Sequence, residues 1–136
     1  MSRAEQFLLG TAYSGVSVHV GLVNNMPDDA LRATELQFAR LLKEASGALD
    51  VRLKLFSFRS IARGEEAHAR MAGFYDDAVL LEAANIDALI VTDAQAGAAD
   101  LRQEPYWGEL TRLIDWAQGS TISTLFSCRA AEDRAR

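Results

Sequence analysis

The chain has 136 residues, with 14 basic against 19 acidic side chains and a formal net charge of −5, which suits one domain with a modest core. The basic residues form no stripe or cluster, which argues against nucleic-acid binding. No stretch reaches the roughly 20 apolar residues of a membrane span, and the N-terminus lacks the pattern of a signal peptide. We therefore expect a single cytoplasmic domain, residues 1–136, that binds neither membrane nor nucleic acid.

Four short apolar segments rich in β-branched residues predict strands. The first and third are almost continuously apolar, as strands buried on both faces are. The second alternates between apolar and charged residues, which is typical of a strand nearer an edge of the sheet. The four segments are residues 16–23, 51–58, 88–92 and 121–127.

Helical periodicity separates these strands. The apolar stripe of the first helix ends at Ser46-Gly47, and Gly119 ends the third. Residues 64–69 are predicted to form a loop. The alternation of strands and helices predicts an α/β fold, with a parallel sheet and helices on both of its faces. The predicted helices cover residues 31–45, 71–84 and 107–117.

The chain has one cysteine, Cys128, directly after the fourth predicted strand. Ligands of open parallel sheets bind beyond the carboxyl ends of the strands. A cysteine at such an end, followed by the small residues Ala130 and Ala131, is typical of a nucleophile elbow. A helix starting there would stabilise a thiolate and offer N–H groups to an oxyanion. The alternative is a free cysteine packed as a small apolar residue.

A thiol nucleophile needs a general base, usually histidine. His19 lies inside the first predicted strand and His68 in the predicted loop, so each suits a structural or exposed role. The turn 24–29 and the segment 92–95 follow the first and third strands and border the same edge as Cys128. The ordinary role of the turn's Asn and Asp side chains is to cap the next helix. No residue cluster has the spacing of metal ligands.

Several segments together resemble the homoserine O-acyltransferase family of methionine biosynthesis, whose members are often called homoserine O-succinyltransferases. The resemblance covers the N-terminal half of that family, over about residues 17–128. Its segments are Val-Gly-Leu-Val-Asn-Asn-Met-Pro at 20–27, Thr-Glu-Leu-Gln-Phe-Ala-Arg-Leu-Leu at 34–42, Phe-Tyr at 74–75, Asp-Ala-Leu-Ile-Val-Thr at 87–92, Tyr-Trp at 106–107, Asp-Trp at 115–116 and Ser-Thr-Leu-Phe-Ser-Cys at 123–128.

The resemblance implies a fold like class I glutamine amidotransferases (flavodoxin-like), with the C-terminal portion missing, and a ping-pong acyl transfer that needs no cofactor or metal. Cys128 matches the residue that takes an acyl group from acyl-CoA and passes it to homoserine. Gly97 matches a position where glycine accompanies succinyl transfer, which favours succinyl-CoA. With Gly97, the expected substrate-binding residues are Asn25, Thr92 and Asp93.

The sequence also departs from the family pattern. Asp28 and Asp29 stand where the family has a lysine after Met-Pro, and Asp93 replaces a glycine beside the expected oxyanion. Residues 129–136 are charged where the family has a small or apolar helix. The family's catalytic His and Glu belong to a C-terminal half without a counterpart in this chain.

Three hypotheses follow from this mixture of matches and departures. In the first hypothesis, the chain is a truncated or frame-shifted acyltransferase that is weak or inactive alone. In the second, it is a non-catalytic α/β binding or interaction module descended from the family. In the third hypothesis, Cys128 is reactive and another chain supplies its base. An uncovered sheet edge favours association, so a homodimer is expected.

Overall fold

A computed structural model describes residues 6–8, 17–120 and 122–126 of the chain. The chain forms β-strands, α-helices and short 3-10 turns, the latter at Ala78–Ala83 and Leu101–Gln103. In chain order they are β1 Gln6–Leu8, β2 Ser17–Val23, α1 Asp28–Ser46, β3 Asp50–Ser57, α2 Glu65–Phe74, β4 Tyr75–Asp77, β5 Ala88–Val91, α3 Trp107–Gly119 and β6 Ser123–Phe126.

Five strands of the sheet are parallel, and β2 lies at their centre. Its last residue, Val23, pairs with Phe56 of β3 on one side and with Val91 of β5 on the other. Beyond β5, β6 continues the sheet in parallel. Among the described residues, the outer edge of β3 pairs with two three-residue strands, β4 in parallel and β1 antiparallel. The predicted parallel α/β sheet is therefore confirmed, and the alternating second strand does lie nearer an edge.

Helices cover both faces of this sheet. Because successive side chains of a strand point to opposite faces, Leu22 faces α1 and α2, where Leu31 and Met71 pack against it. Its neighbour Val23 faces α3 and the 3-10 turn 78–83, in a core that includes Leu110. The inner strands β2, β3 and β5 are thereby largely buried, as the strands of a parallel sheet are.

The longest helix, α1, begins three residues before its predicted start and ends where its sequence predicts. Asp28 and Asp29 occupy its first turn, where the helix dipole favours negative charge. Gly47 follows its last residue with a φ of 58°, a conformation that glycine adopts without a steric penalty. Within the described ranges, no helix has the length and apolarity needed to cross a membrane.

The second predicted helix and the loop before it are wrong. Residues 65–69, predicted as loop, form the first half of α2, whose opening Glu65 and Glu66 favour a helix start. The predicted helix 71–84 ends at Phe74, because the next three residues extend and pair with β3 as β4. The Asp77 side chain then accepts a hydrogen bond from the Val79 N–H and opens a 3-10 turn. Strand pairing overrides helical periodicity here.

Gly21 marks the tightest contact between the sheet and the 3-10 turn. A Cβ at this position would lie 2.9 Å from Leu81 Cδ2 and 3.1 Å from Ile86 Cδ1. We expect Gly21→Ala to lower the free energy of unfolding by about 1–3 kcal/mol, because the core must shift to accept it. Urea denaturation followed by circular dichroism measures this change.

The matched control is Gly73→Ala in α2, where nothing lies within 4 Å of the added Cβ. Alanine should stabilise this helix by up to about 1 kcal/mol. If both variants shift the unfolding midpoint in the same direction, the close approach at Gly21 is not a packing constraint.

Candidate functional site

Asn25 ties together the carboxyl ends of three strands. Its backbone N–H donates to Thr92 Oγ1, just beyond β5, at 2.8 Å. Its side-chain Oδ1 accepts from the Phe58 N–H, just beyond β3, at 3.4 Å. Asn25 itself follows β2 and is 2% exposed. The turn after β2 is thus held against both neighbouring strands at the edge where ligands of such sheets bind.

Thr92 and Asp93 continue this edge. The Thr92 N–H extends the ladder by donating to the Val23 carbonyl at 3.0 Å. The Thr92 hydroxyl in turn donates to the Asp93 carbonyl at 3.0 Å. The half-buried Asp93 borders a recess of about 460 Å³ together with Met26. The structure therefore brings the predicted residues Asn25, Thr92 and Asp93 into one continuous group.

A larger cleft of about 590 Å³ opens beside this group. Three segments line it: the turn after β2, the loop between β3 and α2, and the segment between β5 and α3. Gly97 lies on its far wall, where its N–H donates to Glu104 Oε2 at 3.0 Å. A Cβ at Gly97 would come within 3.2 Å of Glu104 Oε1. Glycine at this position lets the main chain approach the buried carboxylate.

Arg63 and Asp28 join the loop after β3 to the turn after β2. The Arg63 guanidinium bonds the carbonyls of Asn24 and Met26 and lies 3.1 Å from Asp28 Oδ1. Asp28 Oδ2 accepts from the Gly64 N–H at 2.7 Å. This N–H, and to a smaller extent the Arg63 guanidinium, lower the pKa of the Asp28 carboxyl, and together they outweigh its partial desolvation.

The expected capping of α1 by the turn's side chains is wrong. Pro27 precedes the helix, and no side chain caps its N-terminus. Asn24 Oδ1 instead accepts from the Met26 N–H inside the turn, at 3.2 Å. The Asp28 carboxylate is committed to Arg63 and Gly64. The side-chain oxygens that could have capped α1 therefore bond to other groups, one inside the turn and two in the loop after β3.

A buried polar network lies behind the turn. Asn24, which is fully buried, donates from Nδ2 to the Leu31 carbonyl and to the Tyr75 hydroxyl, both at 3.0 Å. The Tyr75 hydroxyl donates to Glu35 Oε2 at 2.6 Å, and Arg70 forms an ion pair with the same carboxylate. Burial, reinforced by the Glu35 carboxylate, raises the pKa of Tyr75. This hydroxyl therefore stays protonated and keeps donating to Glu35.

Glu109 shapes the loop that forms another wall of the cleft. From α3, its carboxylate accepts the N–H groups of Arg59 and Ser60 at 2.8 and 3.0 Å, and also the Ser60 hydroxyl. The loop after β3 is therefore fixed to α3 at its start and to the turn after β2 at Arg63.

Cys128, the predicted nucleophile, lies outside the described residues. The strand that precedes it ends at Phe126, which pairs with Val91. Neither histidine lines the larger cleft: His19 lies near the amino end of β2, bonded through its backbone to Asp87, and His68 is exposed on α2, beside a separate recess. Among the described residues, no group of three His, Cys, Asp or Glu side chains could hold a metal ion.

Sequence reasoning missed Arg63, Glu104 and the Glu35 network. Glu35 carries a detectable signal, because it is a charged residue beside the apolar stripe of α1 and adjoins the buried Thr34. Arg63 has no such signal, since it stands in a loop among exposed residues. Its partners lie 35 to 39 positions away in the chain.

The family model for homoserine O-succinyltransferase matches residues 12–135 of this chain. The chain belongs to the homoserine O-succinyltransferase family. Two similar proteins carry that family's name. One, from Rhodopseudomonas palustris, is 49% identical over 114 residues, or 84% of this chain and 34% of that protein. The other, from Bradyrhizobium japonicum, is 47% identical over 117 residues, or 85% of this chain and 36% of that protein.

The chain spans about a third of the length of these relatives. The matched part is their N-terminal portion. The parallel sheet belongs to the class I glutamine amidotransferase-like architecture of the homoserine O-succinyltransferase family. The described part of the family fold therefore contributes the turn after β2, the Thr92 edge and the cleft wall that carries Gly97.

Removing the Thr92 hydroxyl should loosen this edge. We expect Thr92→Val to lower the free energy of unfolding by about 1–3 kcal/mol, because the buried Asn25 N–H loses its acceptor. Thr92→Ser keeps the oxygen and should lose no more than about 1 kcal/mol for the missing methyl group. Urea denaturation of both variants tests this, and equal losses would show that packing alone is responsible.

Neutralising Glu35 tests the network behind the turn. Glu35→Gln should cost about 2 kcal/mol of unfolding free energy, since Tyr75 and Arg70 lose a charged acceptor in a buried position. The control is Glu82→Gln at the exposed pair with Arg112, whose N–O distance is 3.0 Å. This surface change should cost less than about 1 kcal/mol. A loss of equal size at both sites would contradict a special role for Glu35.

Proposed function

We propose that the chain carries the acyl-accepting cysteine of a homoserine O-succinyltransferase. Cys128 takes an acyl group from acyl-CoA and passes it to the homoserine hydroxyl, as a step of methionine biosynthesis in the cytoplasm. The observation that carries this proposal is the pairing of Phe126 with Val91. The strand preceding Cys128 therefore ends at the same edge as Asn25 and Thr92, beside the cleft.

The reaction divides into two balanced steps. The Cys128 thiolate attacks the thioester carbonyl of acyl-CoA, a new acyl–sulfur bond forms, and the CoA thiolate leaves and takes up a proton. The homoserine hydroxyl then attacks the acyl-cysteine and loses its proton to a base, and the Cys128 thiolate is released. Covalent catalysis of this kind replaces one difficult transfer with two easier ones.

Succinyl-CoA is the donor that we propose. The relatives from Rhodopseudomonas palustris and Bradyrhizobium japonicum are named for succinyl transfer. In this chain Gly97 bonds Glu104 through its N–H, and a glutamate at position 97 would bring a second carboxylate beside a buried one. Two neighbouring carboxylates repel each other, so keeping both of them charged costs free energy. This arrangement supports the glycine that the resemblance associates with succinyl transfer.

We propose that the chain alone completes the second step slowly. His19 lies near the amino end of β2 and His68 is exposed on α2, so neither supports the role of general base for Cys128. A positioned general base contributes about 10²–10⁴ in rate. The base would have to come from sequence that corresponds to the rest of the relatives, or from another chain.

A non-catalytic interaction module is the second candidate. Leu125 of β6 is 56% exposed, and within the described part of the chain β6 pairs with β5 alone. An uncovered edge strand with an exposed leucine favours association. This candidate predicts a homodimer that forms no acyl adduct, and light scattering together with intact mass separates it from the first.

Acylation of Cys128 tests the proposed function directly. The full chain is incubated with succinyl-CoA and analysed by intact mass spectrometry. We expect a mass increase of one succinyl group, formed faster in the folded chain than in the chain unfolded in urea. Added homoserine should remove the acyl group from the adduct slowly. We expect a rate about 10²–10⁴ lower than that of a family member that has its general base.

Cys128→Ala is the control, and it is unambiguous because the chain has one cysteine. Absence of the adduct from the folded wild-type chain would refute the proposed nucleophile. An adduct of equal amount on Cys128→Ala would show that the acyl group attaches elsewhere.

A further inference from the structure

Arg63 is a buried cation in an exposed loop. Its side chain is 5% exposed, although Ser60, Ala62 and Gly64 around it are exposed. Arginine is seldom buried to this extent unless it is paired. Its partners therefore identify what the side chain does.

All the partners of the Arg63 guanidinium belong to one turn. Nη1 donates to the Met26 carbonyl and, at 3.1 Å, to Asp28 Oδ1. Nη2 donates to the Asn24 carbonyl at 3.3 Å. The rigid, planar fork of arginine suits several oxygens held in a fixed relation. One side chain thus spans the turn from its first residue to the start of α1.

Asp28 closes a second link between the same two segments. Its Oδ2 accepts from the Gly64 N–H at 2.7 Å while its Oδ1 pairs with Arg63. The carboxylate is thereby opposed by a guanidinium and a backbone N–H. Asp28 departs from the family pattern in sequence. Its contacts with Arg63 and Gly64 form a clasp between the turn and the loop after β3, so Asp28 is not an unpaired negative charge at the cleft.

Stability alone gives no reason for this arrangement. Within the described residues the Arg63 Nε–H is buried and has no hydrogen-bond partner, which costs free energy of folding. The pair with Asp28 adds little, because the Asp28 side chain is 42% exposed and water weakens exposed ion pairs. The contacts that Arg63 does make all bear on the shape of the turn.

We propose that Arg63 is a positioning residue for the acyl-transfer site, holding the carbonyls of Asn24 and Met26 so that Asn25 keeps its place at the cleft. This inference rests on the proposed function for its catalytic consequence. Asn25 lies between the two carbonyls, and its own N–H and side chain are bonded to Thr92 and Phe58. Arg63 therefore acts through the turn and does not itself react.

The experiment compares Arg63→Met, Arg63→Lys and Asp28→Asn with the wild-type chain. Methionine keeps much of the side-chain volume without donors, and lysine keeps the charge without the fork. Arg112→Met is the control, at an arginine that is 64% exposed and paired with Glu82. NMR-detected hydrogen exchange of the Asn25 amide should be about tenfold faster in Arg63→Met, intermediate in Arg63→Lys and unchanged in Arg112→Met.

The Gly64 amide gives a second, pH-dependent readout. Its chemical shift should follow the protonation of Asp28, with a midpoint below the ordinary pKa of an aspartate. The stability that the clasp gives to the folded chain is present at neutral pH and is lost as the pH falls through that midpoint. In Arg63→Met the midpoint should rise, because one cause of the lowered pKa is gone. In Asp28→Asn the titration should disappear.

The catalytic consequence is measured as the rate of Cys128 acylation at saturating succinyl-CoA. Arg63→Met should be slower by about ten- to a hundredfold, as expected when a site is displaced by a fraction of an ångström. Arg63→Lys should recover part of the rate, and Arg112→Met should match the wild type.

The two readouts keep the two proposals apart. A wild-type chain that forms no adduct refutes the proposed function, while the amide measurements still decide whether Arg63 positions the turn. Unchanged exchange at Asn25 and an unchanged Gly64 titration in Arg63→Met would overturn the positioning role. An altered turn with a wild-type acylation rate would overturn its link to the site. If Arg63→Met fails to fold, Arg63→Lys still gives all the readouts, and Asp28→Asn gives the amide exchange and the acylation rate.

Discussion

Parallel pairing of β2 with β3 and β5 is the constraint on which the other features of the site depend. Val23 lies beside Phe56 and Val91, so the three strands end together. The residues that follow them, Asn25 and Thr92 among them, must then share one edge. A slip of one residue would turn every side chain of β2 to the opposite face, which would move Leu22 into the core beside α3 and away from Leu31 and Met71.

Two sets of long-range contacts give this edge its shape. Behind the turn, Asn24 reaches Tyr75 and through it the buried Glu35. In front of the turn, Arg63 and Asp28 attach it to the loop before α2. The turn is thereby held from both sides by groups that are separated from it along the chain. Such networks specify one geometry when their members are satisfied.

The matched portion of the family fold carries the features of the proposed acyl-transfer site. The chain includes the matched N-terminal portion of homoserine O-succinyltransferases and spans about a third of their length. That portion contains the cysteine, the turn after β2 and the wall with Gly97. Neither of its histidines lines the larger cleft. Under the proposed function, the chain is suited to accept an acyl group and poorly suited to pass it on.

Four of the strands, the parallel α/β class, the end of α1 at Gly47 and the edge on which Asn25, Thr92 and Asp93 lie were predictable from the sequence. These follow from apolar periodicity and turn residues, which act over a few positions. Only the tertiary structure decided that Tyr75–Asp77 form a strand and that Asp28 pairs with Arg63. Both depend on partners brought close by folding, because neither the pairing of Tyr75–Asp77 with β3 nor the burial of a loop guanidinium is visible in the local sequence.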